Sequence, residues 1–250
     1  MSERPSLVIS DVHWGALPPE EERAFLEFLR TLSGSVAEIL FNGDLFDFWF
    51  EYRSAILGRY FPLLRRLAEL RDAGVRLALI GGNHDAWGGR FLREVVGMEV
   101  REGPARVVLA GWRVWAAHGD GLGDGDLGYR LVKRVLRQRT VVAAARWVHP
   151  DWLDAVARRL SKTRPPTARD RARSDVRADA LRRYARERLA ADPTIDVVLL
   201  GHCHVPEVTA VAPRRYYVNA GDWWGHRSYV EFRPDRVELR SWRGPGPASG

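Results

Sequence analysis

Residues 77–85 read Leu-Ala-Leu-Ile-Gly-Gly-Asn-His-Asp, an apolar run that ends in amide, imidazole and carboxylate side chains. The run has the length and composition of a buried strand, and the two glycines indicate a turn after it. Four other apolar runs end in the same kinds of residue: 7–13 (Leu-Val-Ile-Ser-Asp-Val-His), 39–44 (Ile-Leu-Phe-Asn-Gly-Asp), 114–120 (Val-Trp-Ala-Ala-His-Gly-Asp) and 197–204 (Val-Val-Leu-Leu-Gly-His-Cys-His). This repetition predicts five strands that deliver side chains to one shared site.

The chemistry of that site follows from its side chains. In open α/β sheets, functional groups gather at the carboxyl ends of the strands. The gathered set would be Asp11, His13, Asp44, Asn83, His118, His202 and His204. Mixed oxygen and imidazole ligands without a thiolate cage favour manganese, iron or zinc over calcium or magnesium. Seven ligands are too many for one ion, but they fit two ions roughly 3.5–4 Å apart if one carboxylate bridges them, an arrangement that hydrolyses phosphoesters.

The rest of the chain predicts one domain with an elaboration. The strand pattern extends over an α/β body within residues 1–243 of the 250-residue chain. Residues 126–191 show helical periodicity instead, which indicates a helical insert at about 124–192. The Gly/Pro/Ser-rich tail at 244–250 has the composition of a disordered segment.

Charge is concentrated in the insert. The chain carries a net charge of +7, but residues 125–190 alone hold 18 basic and 7 acidic residues. The net charge of this segment is therefore +11, and that of the remaining residues is −4. The positive charge favours a polyanionic partner for the insert. Two interpretations stay open here: a lid or surface element that meets anionic lipid, or a site for a nucleic-acid backbone.

Targeting features are sparse. The first residues lack a secretory signal, no apolar stretch approaches the ~20 residues of a membrane span, and Cys203 is the only cysteine. We therefore expect a cytoplasmic protein.

The motif string Asp-x-His, Gly-Asp, Gly-Asn-His-Asp, His-Gly-Asp and Gly-His-x-His resembles that of the calcineurin-like metallophosphoesterases, across about residues 7–220. The resemblance implies an α/β fold of four layers, a two-sheet β-sandwich flanked by helices. It also implies two divalent ions, manganese foremost, with iron and zinc as alternatives. One ion would take Asp11, His13, Asp44 and His204; the other would take Asp44, Asn83, His118 and His202, with Asp44 as the bridge. His84 would face the scissile phosphate, so that His84, Asn83 and Asp44 form the catalytic set.

Residues 43–52 (Gly-Asp-Leu-Phe-Asp-Phe-Trp-Phe-Glu-Tyr), residues 218–223 (Val-Asn-Ala-Gly-Asp-Trp) and the helical insert resemble the UDP-2,3-diacylglucosamine pyrophosphohydrolase branch, from lipid A biosynthesis. The resemblance implies that a metal-held hydroxide attacks the UMP phosphorus, giving UMP and 2,3-diacylglucosamine 1-phosphate. The insert would be a cap over the acyl chains. Expected substrate contacts are Ser161, Lys162 and Arg164 for phosphate, and Phe48 and Trp49 for an apolar groove. One departure is His84, where the best-known members of that branch carry arginine; histidine at this place resembles general family members and a divergent subgroup.

Two functions therefore remain in competition. The first is a hydrolase of a UDP-linked acylated sugar, bound peripherally to the inner face of the cell membrane and without an obligate protein partner. The second is a phosphodiesterase or nuclease that acts on nucleotides or nucleic acid. Nucleic acid is disfavoured because the aromatic residues cluster near Asp44, whereas a base-stacking path would interleave them with the basic residues of the insert.

Overall fold

Two β-sheets pack face to face in the computed structural model, which describes residues 4–85, 87–122, 138–161 and 168–244. The first sheet has the spatial order β11-β10-β1-β2-β3-β4. Its strands are β1 (Ser6–Ile9), β2 (Glu38–Asn42), β3 (Arg76–Ile80), β4 (Glu99–Arg101), β10 (Ser228–Phe232) and β11 (Val237–Ser241). β1 to β4 run parallel, so that β1, β2 and β3 all end at one edge of the sheet.

The second sheet has the order β5-β6-β7-β9-β8. Its strands are β5 (Ala105–Leu109), β6 (Trp112–Ala116), β7 (Val197–Leu200), β8 (Glu207–Ala212) and β9 (Arg215–Asn219). β5 and β6 form an antiparallel hairpin, and β6, β7 and β9 are parallel. The central parallel strands β1, β2 and β7 are buried almost throughout, which explains why they contain continuous apolar runs.

Apolar side chains from both sheets fill the space between them, including Val8 and Leu40 from the first sheet and Val114 and Leu199 from the second. The outer face of the first sheet is covered by α1 (Pro19–Thr31) and α2 (Phe61–Asp72). α1 begins with a proline followed by three glutamates. Proline suits this position because its missing N–H donor would have no acceptor in the first turn, and the glutamates are stabilised by the positive end of the helix dipole.

The outer face of the second sheet is covered by a long helix. In the described residues between β6 and β7 lie three helices: α3 (Arg139–Ala145), α4 (Pro150–Ser161) and α5 (Ala168–Ala191). A short α6 (Trp223–His226) follows β9. In α5 the spacing of Ala178, Leu181, Ala185 and Leu189 gives one apolar stripe that packs on the second sheet against Trp115 and Tyr217. The molecule thus has the predicted four layers: helix, sheet, sheet, helix.

This packing bears on the extent of the insert. The sequence places it at about 124–192, but residues 178–189 carry the stripe that forms the fourth layer of the body. The described part that stands apart from the body core comprises α3 and α4. The expected tail from 245 onward lies outside the described residues.

Candidate metal centre

The loops that follow β1, β2, β3, β6 and β7 meet at the edge where these strands end. Their acidic and histidine side chains form three overlapping groups: Asp11, His13 and His204; His13, Asp44 and His84; Asp44, His118 and His202. Within each group, the atoms that could bind a metal lie within 4.8 Å of one another. Asp44 belongs to two groups, the position expected of a bridging carboxylate.

Short distances between individual atoms show that the two sheets meet at this edge. Asp11 Oδ1, from the first sheet, lies 3.2 Å from His204 Nε2, from the second. Asp44 Oδ2 and His118 Nε2 are 3.1 Å apart. His13 Nε2 lies between the two carboxylates, 4.0 Å from Asp11 Oδ1 and 4.0 Å from Asp44 Oδ2.

The backbone is strained at these residues. Asp11, His13, Asp44, His202 and His204 all have positive φ, between 52° and 66°. Such a conformation is uncommon outside glycine, and each instance costs on the order of 1–3 kcal/mol. It occurs five times here, which indicates that the surrounding structure holds these turns in order to direct their side chains to one point.

The glycines that precede two of the ligand candidates are required by close packing. A Cβ atom on Gly43 would lie 2.2 Å from His118 Nδ1, and one on Gly82 would lie 2.1 Å from Asp44 Oδ1. Any side chain at either position would displace a predicted ligand on a neighbouring loop. The Gly-Asp and Gly-Asn pairs of the sequence therefore reflect the tight nesting of these loops.

Several buried atoms of the site fit a metal ion. Asp11 Oδ1, Asn83 Oδ1 and His118 Nε2 are buried and have no hydrogen-bond partner among the described residues. His118 Nδ1 faces the carbonyl of Asn42 at 3.0 Å, so Nδ1 carries a proton and Nε2 is the nitrogen that a metal beside Asp44 could use. Unpaired buried polar atoms are costly, and cations bound at this edge would satisfy them.

The pKa values show where the site attracts positive charge. Burial lowers the pKa of His13 to about 3, against the pull of Asp44. Burial and the neighbouring His118 lower the pKa of His202 to about 4. For His204 burial is outweighed by the Asp11 and Asp222 carboxylates together, which raise the pKa to about 10. His13 and His202 thus offer neutral imidazoles, while the carboxylates attract positive charge onto the imidazoles that face them.

Asn83 and His84 lie on the loop after β3. The backbone N–H of His84 donates to Asp44 Oδ1 at 2.9 Å, which fixes this loop against the central carboxylate. His84 Nδ1 faces the carbonyl of Asp47 at 2.5 Å, and its Nε2 lies 4.0 Å from Asp44 Oδ2. Burial would lower the pKa of His84, but the charge of Asp44 and the Asp47 carbonyl raise it. His84 therefore presents an Nε2 that favours carrying a proton.

Two supporting carboxylates surround the site. Asp85 accepts from the backbone N–H groups of Gly82 and Leu45 and so joins the loops after β2 and β3. Asp222, which follows β9, lies with Oδ2 3.5 Å from His204 Nδ1. Sequence reasoning assigned no role to Asp222, although residues 218–223 repeat the pattern of an apolar strand that ends in a carboxylate.

The expected substrate contacts divide into three cases. Trp49 is only 1% exposed and stacks on Phe46 in the core, so it forms no groove wall; the expectation for this residue is corrected. Phe48 is half-buried and packs near Trp87. Ser161 ends α4, whereas Lys162 and Arg164 lie outside the described residues.

The sequence model of the calcineurin-like phosphoesterase family matches residues 4–206. The chain belongs to this family and is a metal-dependent phosphoester hydrolase.

The chain is also similar to individual proteins of known name. The chain is 32% identical to a UDP-2,3-diacylglucosamine hydrolase of Porphyromonas gingivalis, over 93% of this chain and 95% of the relative. It is 30% identical to a protein of the same name from Ectopseudomonas mendocina, over 87% of this chain and 89% of the relative. Among solved structures, zinc-bound Vps29 of Entamoeba histolytica aligns with a TM-score of 0.40 and 14% identity, over 94% of this chain and 97% of that one.

In the described part of the chain, every helix is too short or too polar to cross a bilayer.

Proposed function

We propose that this enzyme hydrolyses the pyrophosphate bond of UDP-2,3-diacylglucosamine and releases UMP and 2,3-diacylglucosamine 1-phosphate. The substrate assignment rests on the similarity of the chain to two proteins named UDP-2,3-diacylglucosamine hydrolase, at 30–32% identity and over most of the length of each sequence. The insert and the aromatic loop beside Asp44 agree with a substrate that has both phosphate and acyl chains.

Two divalent ions, manganese foremost, would occupy the centre. Asp11, His13, Asp44 and His204 would hold one ion, and Asp44, Asn83, His118 and His202 the other. When bound, such a pair supplies Lewis acidity at the phosphoryl oxygens and lowers the pKa of water. Support comes from the overlapping ligand groups that share Asp44 and from the unpartnered atoms of Asp11, Asn83 and His118.

His84 is the candidate proton donor. Its Nδ1–H is held by the Asp47 carbonyl, which leaves Nε2 directed toward the site, and the side chain is 16% exposed. An imidazolium there can donate from Nε2 to the leaving phosphate oxygen, or stabilise charge that develops on it. Histidine can do both, whereas arginine can only stabilise charge, because it does not release its proton.

The insert would act as a cap fixed to the body beside this site. Asp154 of α4 is buried and pairs with Arg59 at 2.6 Å. The Arg59 guanidinium donates to Tyr60 Oη, which in turn donates to the carbonyl of Phe48. This chain of contacts links α4 to the aromatic loop that continues from Asp44, so that docking of the cap and the position of Phe48 are coupled.

A lipid surface is the partner we propose for the outer side of the cap. Trp147 is 91% exposed and Trp152 is 74% exposed, with Val148 and Val156 exposed nearby. Tryptophan favours the interface between lipid and water, and the net basic charge of the segment favours anionic lipid. In this proposal the protein works from the cytoplasm, at the inner face of the cell membrane, where its acylated substrate resides.

Product analysis tests the substrate. The manganese-loaded protein is incubated with UDP-2,3-diacylglucosamine and, as the control without acyl chains, with UDP-N-acetylglucosamine. We expect UMP from the acylated substrate alone. If neither compound yields UMP while a simple phosphodiester is still cleaved, the lipid substrate is wrong, and nucleic acid becomes the next substrate to assay.

A further inference from the structure

Asp222 is a buried carboxylate, and both of its oxygens have partners. It follows β9 and caps the start of α6, where Oδ2 accepts from the backbone N–H of Gly225 at 3.0 Å. The same oxygen lies 3.5 Å from His204 Nδ1. The other oxygen, Oδ1, lies 2.5 Å from His226 Nδ1.

His204 is therefore held between two carboxylates. Its Nε2 faces Asp11 at 3.2 Å, and its Nδ1 faces Asp222. An acceptor beside Nδ1 keeps a proton on that atom, so that Nε2 is the nitrogen that a metal ion beside Asp11 would take. Histidine ligands of metals commonly have such a partner, which fixes the ring and makes the other nitrogen more basic.

The second ion position is built differently. His118 turns its Nδ1 toward a neutral backbone carbonyl, that of Asn42. His204 has a charged carboxylate in the same place. The two imidazoles therefore differ in the charge of the group beside Nδ1, and the Asp222 carboxylate adds negative charge directly to the ring that faces Asp11.

We infer that Asp222 is the positioning residue for His204, that His226 holds Asp222 through its second oxygen, and that this arrangement makes the two metal positions unequal in affinity. The inference rests on the proposed ligation by His204. Its test measures metal binding without substrate, so it can succeed or fail whether or not UDP-2,3-diacylglucosamine is cleaved.

The substitution Asp222→Asn separates charge from structure. Asparagine caps a helix about as well as aspartate, so the start of α6 is preserved while the charge beside His204 is lost. We expect titration with Mn²⁺, followed by calorimetry, to show one of two equivalents weakened by about 10–100-fold and the other unchanged. Titration with Co²⁺ should show the visible absorption of only one of the two ions altered.

Glu21→Gln is the matched control. Glu21 pairs with Arg227, which directly follows α6, at 2.6 Å, so this change disturbs the same turn without a contact to His204. We expect both equivalents to bind normally in Glu21→Gln, and a smaller loss in the same equivalent for His226→Gln. Unchanged binding in Asp222→Asn would overturn the inference. Equal weakening of both equivalents together with a lower melting temperature would also overturn it, because that pattern reports damage to the fold.

Discussion

Asp44 and His118 follow strands of different sheets, yet Asp44 Oδ2 lies 3.1 Å from His118 Nε2. Both side chains are buried, and the ring turns its other nitrogen, Nδ1, to the carbonyl of Asn42. A divalent cation bound to both atoms would hold a carboxylate and an imidazole this close together. The contact joins the two sheets at the site, which is complete only where their edges meet.

Replacing Asp44 should remove the metal centre. Asp44→Asn keeps a side chain of the same shape that tolerates the positive φ of 52°, but it loses the charge that two ligand groups share. We expect metal content to fall below two ions per chain and kcat to fall by at least about 10²-fold. Elemental analysis beside a phosphodiester assay measures both; Asp235→Asn, on an exposed turn, is the control. Two tightly held ions and normal turnover in Asp44→Asn would refute the bridge.

His84 should matter for rate and not for metal content. In His84→Gln the side chain can no longer carry a proton at Nε2, and we expect kcat to fall by about 10²–10⁴-fold while both ions remain bound. His84→Arg restores the positive charge without an exchangeable proton, so we expect it to recover only part of the rate. If His84→Gln loses an ion, His84 is a ligand, and the assignment of a proton donor fails.

The ion pair between Arg59 and Asp154 should control use of the acylated substrate. Asp154→Asn leaves the half-buried guanidinium without its countercharge, at a cost of about 1–2 kcal/mol, which corresponds to a 5–30-fold change in an equilibrium. We expect KM for UDP-2,3-diacylglucosamine to rise by that order, while bis(p-nitrophenyl) phosphate is cleaved as before. Asp151→Asn, on the same helix but with an exposed carboxylate, is the matched control. Equal losses on both substrates would argue against a cap that selects the lipid.

The exposed tryptophans should govern attachment to lipid. Burying a large apolar side chain contributes about 1.5–3 kcal/mol, so Trp147→Ser and Trp152→Ser should each weaken binding to vesicles by about 10-fold or more. Flotation with vesicles of phosphatidylglycerol and phosphatidylethanolamine measures this, and added salt should lower binding further. Val108→Ser is the control, since Val108 is 63% exposed but lies on β5 of the body. Wild-type flotation by both tryptophan variants would exclude this surface as the membrane contact.

The side chains expected at the metal centre meet at one edge of the two sheets, and the sequence could indicate this because each follows an apolar run at a strand end; their role as ligands stays a prediction. The sequence did not indicate the features that depend on tertiary packing. Trp49 belongs to an aromatic run without a clear period, so nothing in the run shows that this ring faces the core while Phe48 is half-buried. The apolar stripe of α5 consists partly of alanines among many arginines, so its sequence resembles that of the insert although the helix packs on the second sheet. Asp222 lies beside His204 because β7 pairs with β9, a contact between separate parts of the chain.

The most direct test of the central claim, that Asp44 joins two metal positions, is a crystal structure of the manganese-loaded protein with anomalous diffraction at the manganese edge. We predict two peaks roughly 3.5–4 Å apart, one beside Asp11 and His204 and one beside His118 and His202, with Asp44 in contact with both. A single peak, or two peaks that do not share Asp44, would contradict the account.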